Sequence, residues 1–277
     1  MIYIKTKEEI KIIREGGKYL AAILKELVAM VKPGADTAHL EEIAIARIEK
    51  VGGKPAFKDY PMGGGIFFPS ALCVSINNEV VHGASLPSRI IKSGDIVDLD
   101  IGMEWPINLK LRQKISAPTN PHSKDGGYFT DMCTTVGAGK VSQEAKKLMN
   151  ISKTCLYDAI SQIKPGNRIN DIARAVSQLA KKHGYGVVRD LVGHGVGYYA
   201  HEAPDVFNYE VSDSSPDNIV LKEGMVIAVE PMINIGDWQV DVAKNGYTII
   251  TADGSLSAHF EHTIAITEDG AAILTAE

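Results

Sequence analysis

Apolar residues recur at helical spacing in two long stretches, residues 9–31 and 143–163. A Lys-Pro-Gly triplet follows each, at residues 32–34 and 164–166, and a second amphipathic stretch follows each triplet. In the later copy Ile172, Val176, Leu179 and Ala180 share one helical face, and Gly184 ends it. Thr6 and Glu9 have the spacing of a capping box ahead of the first helix. The period then changes. The runs GDIVDLDIG (residues 94–102) and GMVIAVEPM (residues 224–232) read as apolar strands. Each opens on a glycine and places an acid at the same later position, Asp100 in one and Glu230 in the other. Each half supplies one more acid, Asp131 in TDM and Glu261 in FEHT. The order helix, KPG, helix, strand, acid, strand, acid thus occurs twice. It predicts an α+β fold of two ααββ halves, roughly residues 1–140 and 141–277. Their strands would share a sheet, with the helices on one face. No low-complexity linker divides the chain, so residues 1–277 are expected to form one catalytic domain.

Composition narrows the class. With 45% apolar and 23% charged residues, the chain is a folded globule rather than a disordered tail. A formal charge of -5 argues against wholesale nucleic-acid binding, DNA included, while leaving room for a local basic patch. Cys73, Cys133 and Cys155 are odd in number and widely spaced, so no disulfide framework or zinc ribbon is indicated. The N-terminus is interrupted by charge, unlike a signal peptide. The most apolar stretch, residues 19–31, contains Lys25 and Glu26 and is too short to span a bilayer. These features predict a cytoplasmic protein with no membrane partner.

The strand-borne acids carry the chemistry. A carboxylate in an apolar strand is costly unless paired or metal-bound. Glu230 is the lone charge among Val226, Ile227, Ala228 and Val229; Asp98 and Asp100 share one strand face. The plain alternative for each is a strand-end acid at the surface. His194 adds an imidazole within GHGVGYYAHE, where glycines strip side chains from its surroundings. Two aspartates, two glutamates and one histidine suit divalent manganese, iron(II) or cobalt, and suit zinc less obviously. Four negative charges exceed the need of one divalent ion, so two carboxylate-bridged ions are expected.

Six motifs in order resemble those of the type I methionine aminopeptidases, members of the pita-bread metallopeptidases. They are SINNEVVHG, GDIVDLDIG, TDM, VGHGVGYYAHEAP, GMVIAVEPM and SLSAHFEHT, and the resemblance spans nearly the whole chain. It implies a central, mainly antiparallel sheet and a monomer. It also implies metal ligation by Asp100, Asp131, His194, Glu230 and Glu261, with Asp131 and Glu261 bridging two ions (cobalt, manganese or iron(II), with zinc an alternative). A metal-bridging hydroxide would attack the scissile carbonyl, with Glu230 as proton shuttle. His201 and His82 would orient the substrate and stabilise the tetrahedral intermediate. Phe68, Cys73, Met232 and Tyr247 match methionine-pocket positions. Tyr247 stands where many relatives have tryptophan, and Ala200 where a bulky aromatic is common. The implied substrates are N-terminal methionine peptides and nascent chains.

The remaining histidines carry less. His262 should face away from Glu261 and be structural; His39, His122, His183 and His259 give no usable signal. Asp98 is read equally as a partner of the metal ligands or an exposed strand acid. Residues 104–128 exceed the short hairpin of many relatives. There Ile107, Leu109, Leu111 and Ile115 alternate with Asn108, Lys110, Arg112 and Lys114, which predicts a β-arm with a cationic face. That face suggests contact with the ribosome; a solvated strand face is the plainer reading. Two rivals stand beside the aminopeptidase reading: an X-Pro peptidase or prolidase of the same fold, and a non-catalytic RNA- or ribosome-binding relative.

Overall fold

A computed structural model describes residues 1–276. Its helices are α1 (Lys7–Met30), α2 (Thr37–Lys50), α3 (Leu109–Lys114), α4 (Gln143–Ser161) and α5 (Ile169–Lys182). The capping box opens α1 as expected: Thr6 Oγ1 accepts from the Glu9 N–H, and the Glu9 carboxylate accepts from the Thr6 N–H. The buried stripe of α1, including Leu20, Leu24 and Leu27, packs with strand residues Val97, Leu99 and Ile101 in one core cluster. Helices α4 and α5 pack the second core in the same manner, around Ile227, Val229 and Ile264.

The internal repeat extends to backbone detail. Gly34 and Gly166 close the two Lys-Pro-Gly turns at φ +90° and +92°, a conformation glycine adopts without a Cβ penalty. The Gly34 N–H donates to Ile91 O at 2.8 Å, and the Gly166 N–H donates to Leu221 O at 3.0 Å. The glycines that open the acid-bearing strands also correspond. Gly94 (φ +101°) donates to Ala138 O, and Gly224 (φ +85°) to Ile266 O, both at 2.9 Å.

All the ladders are antiparallel. The Ile96–Trp105 strand pairs with Leu72–Ile76 on one side and with Tyr128–Gly137 along its full length on the other. In the second half Val226–Val229 runs between Gly193–Gly195 and His262–Thr267. The halves are stitched where the acids lie. Thr263 Oγ1 accepts from the Asp131 N–H at 2.9 Å and donates to Asp131 O at 2.8 Å. Thr134 bridges Phe260 beside them. Among the described residues no helix is long and apolar enough to cross a membrane.

The predicted β-arm is not a strand. After Trp105 the chain forms the single-turn helix α3, begun by Asn108 Oδ1 accepting from the Leu111 N–H. Ile107, Leu111 and Ile115 are spaced four apart, so the apolar positions fit a helix as well as a strand. Leu109, which a strand would have placed with them, is 60% exposed. Leu111 packs against the first core, with a methyl toward Gly52. The cationic face is also not assembled: Lys110 and Lys114 are exposed, but Arg112 turns inward, its Nη1 over Gly126. Asn120 then docks the loop, its amide donating to Gly127 O and Tyr198 O.

Candidate metal centre

Five side chains converge where the two sheets meet. Asp100 lies mid-strand in Ile96–Trp105, and Asp131 lies on the neighbouring strand opposite Gly102. Glu230 follows the Val226–Val229 strand, and Glu261 immediately precedes His262–Thr267. His194 sits in the three-residue strand Gly193–Gly195. Its glycines are required by crowding: a Cβ on Gly193 would lie 2.4 Å from Ala228 O, and one on Gly195 would lie 2.4 Å from Ala203 O. With both absent, neighbouring strands close on His194 from each side and aim its ring inward. His194 Nδ1 lies 2.9 Å from Gly195 O, so Nδ1–H donates there and Nε2 keeps its lone pair. That Nε2 is 3.3 Å from Glu230 Oε1.

Ligand atoms of Asp100, Asp131 and Glu261 lie within 4.8 Å of one another, and so do those of His194, Glu230 and Glu261. Glu261 belongs to both groups. One buried oxygen each of Asp100, Asp131 and Glu261 has no hydrogen-bond partner. Native proteins rarely leave such atoms unsatisfied. Burial, then repulsion from Asp100 and Glu230, pushes the Asp131 carboxyl well above its usual range. Burial likewise raises Asp100 to about 7 and Glu230 to about 8. The same desolvation pushes the His194 imidazole down to about 3, the state a metal ligand needs. Orphaned oxygens, crowded acids and a neutral imidazole together fit a divalent cation, which would reverse the upward shifts of the acids.

A cavity of about 200 Å³ opens beside the acids. Of the predicted pocket residues, Phe68 and Cys73 line it, and His82 and His201 face it. Tyr247 supports the wall from behind, its ring edge-on to Phe68 at 5.6 Å. Met232 does not reach the cavity. It is buried with Val80, Val81 and Val188, and of that cluster Val81 lines the cavity. Pro231 separates the Val226–Val229 and Met232–Asn234 strands, so the two-residue period from Glu230 does not carry across.

Sequence reasoning missed five lining residues, of which Val81 comes from the Glu79–Val81 strand. Phe57, Tyr60 and Met62 enter from the segment preceding Phe68. His259, thought uninformative, is buried among the acids, 3.5 Å from Asp98 Oδ2 and 3.7 Å from Glu230 Oε2. Desolvation opposes its charge, but Asp98, Glu230 and Asp100 outweigh that and raise it to about 9. Asp98 is therefore no exposed strand acid. Alternation from the ligand Glu261 would have placed His259 on the same face. His262 points away, as expected, with Nδ1 3.0 Å from Thr275 Oγ1.

Buried acids with unsatisfied oxygens, one neutral imidazole and an apolar cleft define a metal-dependent hydrolytic centre. The family model for metallopeptidase family M24 matches residues 11–107 and 122–268, omitting all of α3 and the first part of the loop after it. A methionine aminopeptidase of Aquifex aeolicus (strain VF5) is 41% identical, over 99% of this chain and 98% of its own length. Methionine aminopeptidase 1 of Bacillus subtilis (strain 168) is 40% identical, over 99% of both chains. The crystal structure of a methionine aminopeptidase from Thermotoga maritima superposes with a TM-score of 0.87 at 38% identity, covering both chains completely. The prolidase of Pyrococcus horikoshii OT3 shares the fold, with a TM-score of 0.71 at 22% identity over 99% of this chain and 63% of its own. The chain belongs to metallopeptidase family M24, and its fold is the pita-bread fold of those structures.

Proposed function

We propose that the protein is a dinuclear-metal aminopeptidase that removes N-terminal methionine from peptides and nascent chains. The observation that carries this reading is the pair of ligand groups sharing Glu261 beside an apolar cavity. Asp100, Asp131 and Glu261 would hold one ion; His194 and Glu230, with the two bridging acids Asp131 and Glu261, would hold the second. Two doubly charged ions balance the four ligating carboxylates, and His259 offsets Asp98. When bound, the ions supply an acidified water and polarise the scissile carbonyl.

The chain's own groups do the rest. Glu230, held between His194 and His259, takes a proton and delivers it to the leaving amine. His201 donates to the substrate carbonyl oxygen as negative charge develops there. His82 contacts the substrate backbone. It is held at φ +58°, a costly conformation for a side-chain-bearing residue, and its carbonyl accepts from Thr248 Oγ1 at 2.9 Å. Phe57, Met62, Phe68 and Cys73 offer the methionine side chain an apolar, polarizable slot. Substrate profiling tests the reading. Release of methionine from Met-Ala-Ser, with Xaa-Pro peptides left intact, is expected. Cleavage restricted to bonds before proline would move the protein to the X-Pro peptidases.

A further inference from the structure

The His201 ring packs against the His194 ring, centroids 4.3 Å apart, and takes one hydrogen bond that can fix its tautomer. The backbone there is firmly held. The Glu202 carboxylate accepts from the Tyr198 and Tyr199 N–H groups at 3.1 and 3.2 Å and pairs with Lys5. Among the described residues the hydrogen-bond partner of the His201 ring is the Tyr60 hydroxyl, 2.9 Å from Nδ1, with the two rings edge-on at 5.0 Å. Ala200 beside it contributes only a methyl group.

Tyr60 is itself rigidly seated. Its carbonyl accepts from the Phe68 N–H at 2.9 Å, and the Asp59 N–H donates to Phe68 O at 2.9 Å. These bonds close the base of the hairpin formed by Pro61–Gly63 and Ile66–Phe67. The hairpin tip, Gly63 to Gly65, contacts nothing that a Cβ would meet. The fixed end of the hairpin thus carries the hydroxyl, and the loose end points away.

A neutral imidazole has one N–H, and its position is set by what the other nitrogen accepts. A tyrosine hydroxyl can donate or accept. With Nδ1 engaged by Tyr60, Nε2 is the nitrogen left for the substrate. A carbonyl oxygen gathering negative charge needs an N–H there, not a second lone pair. We propose that Tyr60 is a positioning residue that donates to His201 Nδ1 and thereby fixes the Nε2–H tautomer facing the scissile carbonyl. This rests on the reading of His201 as a carbonyl donor.

The test uses zinc-loaded protein with 15N-labelled histidine, which is diamagnetic. Ring 15N shifts separate a protonated from a bare nitrogen, and the His201 signals are assigned by their absence in His201→Gln. Wild type should show Nε2 protonated and Nδ1 bare. Tyr60→Phe keeps the ring and removes only the hydroxyl. It should populate the Nδ1–H tautomer and lower kcat on Met-Ala-Ser about tenfold, with KM changed less than about twofold. Phe67→Ala, an exposed substitution on the same hairpin, should alter neither reading. An unchanged tautomer in Tyr60→Phe, or an equal kcat loss in Phe67→Ala, would overturn the proposal. Full activity in His201→Ala would instead sink the carbonyl-donor reading, and the spectra would still decide the tautomer.

Discussion

Glu41 on α2 links a buried charge to the wall of the substrate cavity. It is 3% exposed, and its carboxylate accepts from Ala71 N–H at 2.7 Å, Leu72 N–H at 2.9 Å and Ser85 Oγ at 2.7 Å. Those contacts fix the start of the Leu72–Ile76 strand, which carries Cys73 opposite Asp100. Glu41→Gln keeps one oxygen for Ala71 but turns an amine toward the Leu72 N–H; Ser85 can reorient and accept from it. One buried donor then faces a donor, at a cost of about 1–3 kcal/mol. Glu41→Ala orphans both N–H groups, and Ala71 and Leu72 are fully buried, so about 3–5 kcal/mol is expected. Urea denaturation of metal-loaded wild type, Gln and Ala variants measures the series. The same variants should raise KM for Met-Ala-Ser, because the wall loses its anchor. A Gln variant as stable as wild type, together with an Ala loss below about 1 kcal/mol, would refute the argument.

Three further outcomes are expected. His259 and Asp98 form a buried pair, so either His259→Gln or Asp98→Asn alone should destabilise by about 3 kcal/mol, and the double variant should recover about 2 kcal/mol; strictly additive losses would show that they are not coupled. Burial, then His201, lowers His82 to about 4, against about 6.5 unfolded; the unfolded chain therefore binds more protons between those values. Stability from this group is complete above about pH 6.5 and is lost as pH falls toward 4, by about 1–2 kcal/mol after solvent screening. His82→Asn should flatten that part of the stability curve, and parallel curves would contradict the assignment. Asn120 is fully buried and ties the insertion to Gly127, Tyr198 and His122; Asn120→Ala should lower the urea stability by about 2–3 kcal/mol, and no loss would mean that the loop is not docked.

Much of this centre was legible because burying a charge in an apolar strand demands a reason. Asp100 and Glu230 stood out on that ground, and the repeat then pointed to Asp131 and Glu261. The glycine turns made the repeat visible, since only positions needing left-handed backbone keep a glycine in both halves. Periodicity failed where two periods coincide. Ile107, Leu111 and Ile115 satisfy helix and strand alike, and docking of Leu111 on the core selected the helix. Met232 was placed in the pocket by the family resemblance alone, and its side chain packs instead with Val80, Val81 and Val188. Phe57, Tyr60 and Met62 reach the cavity through a hairpin whose direction no local pattern encodes. His259 was hidden for another reason: its role depends on Asp98 and Glu230, which lie far from it in sequence.

The most direct test is methionine release from Met-Ala-Ser by metal-free protein titrated anaerobically with manganese or iron(II). No release without metal is expected, then activity rising with added ion and abolished in His194→Ala and Glu230→Ala. Release by the metal-free protein, or undiminished release by either variant with metal present, would contradict the assignment of this centre.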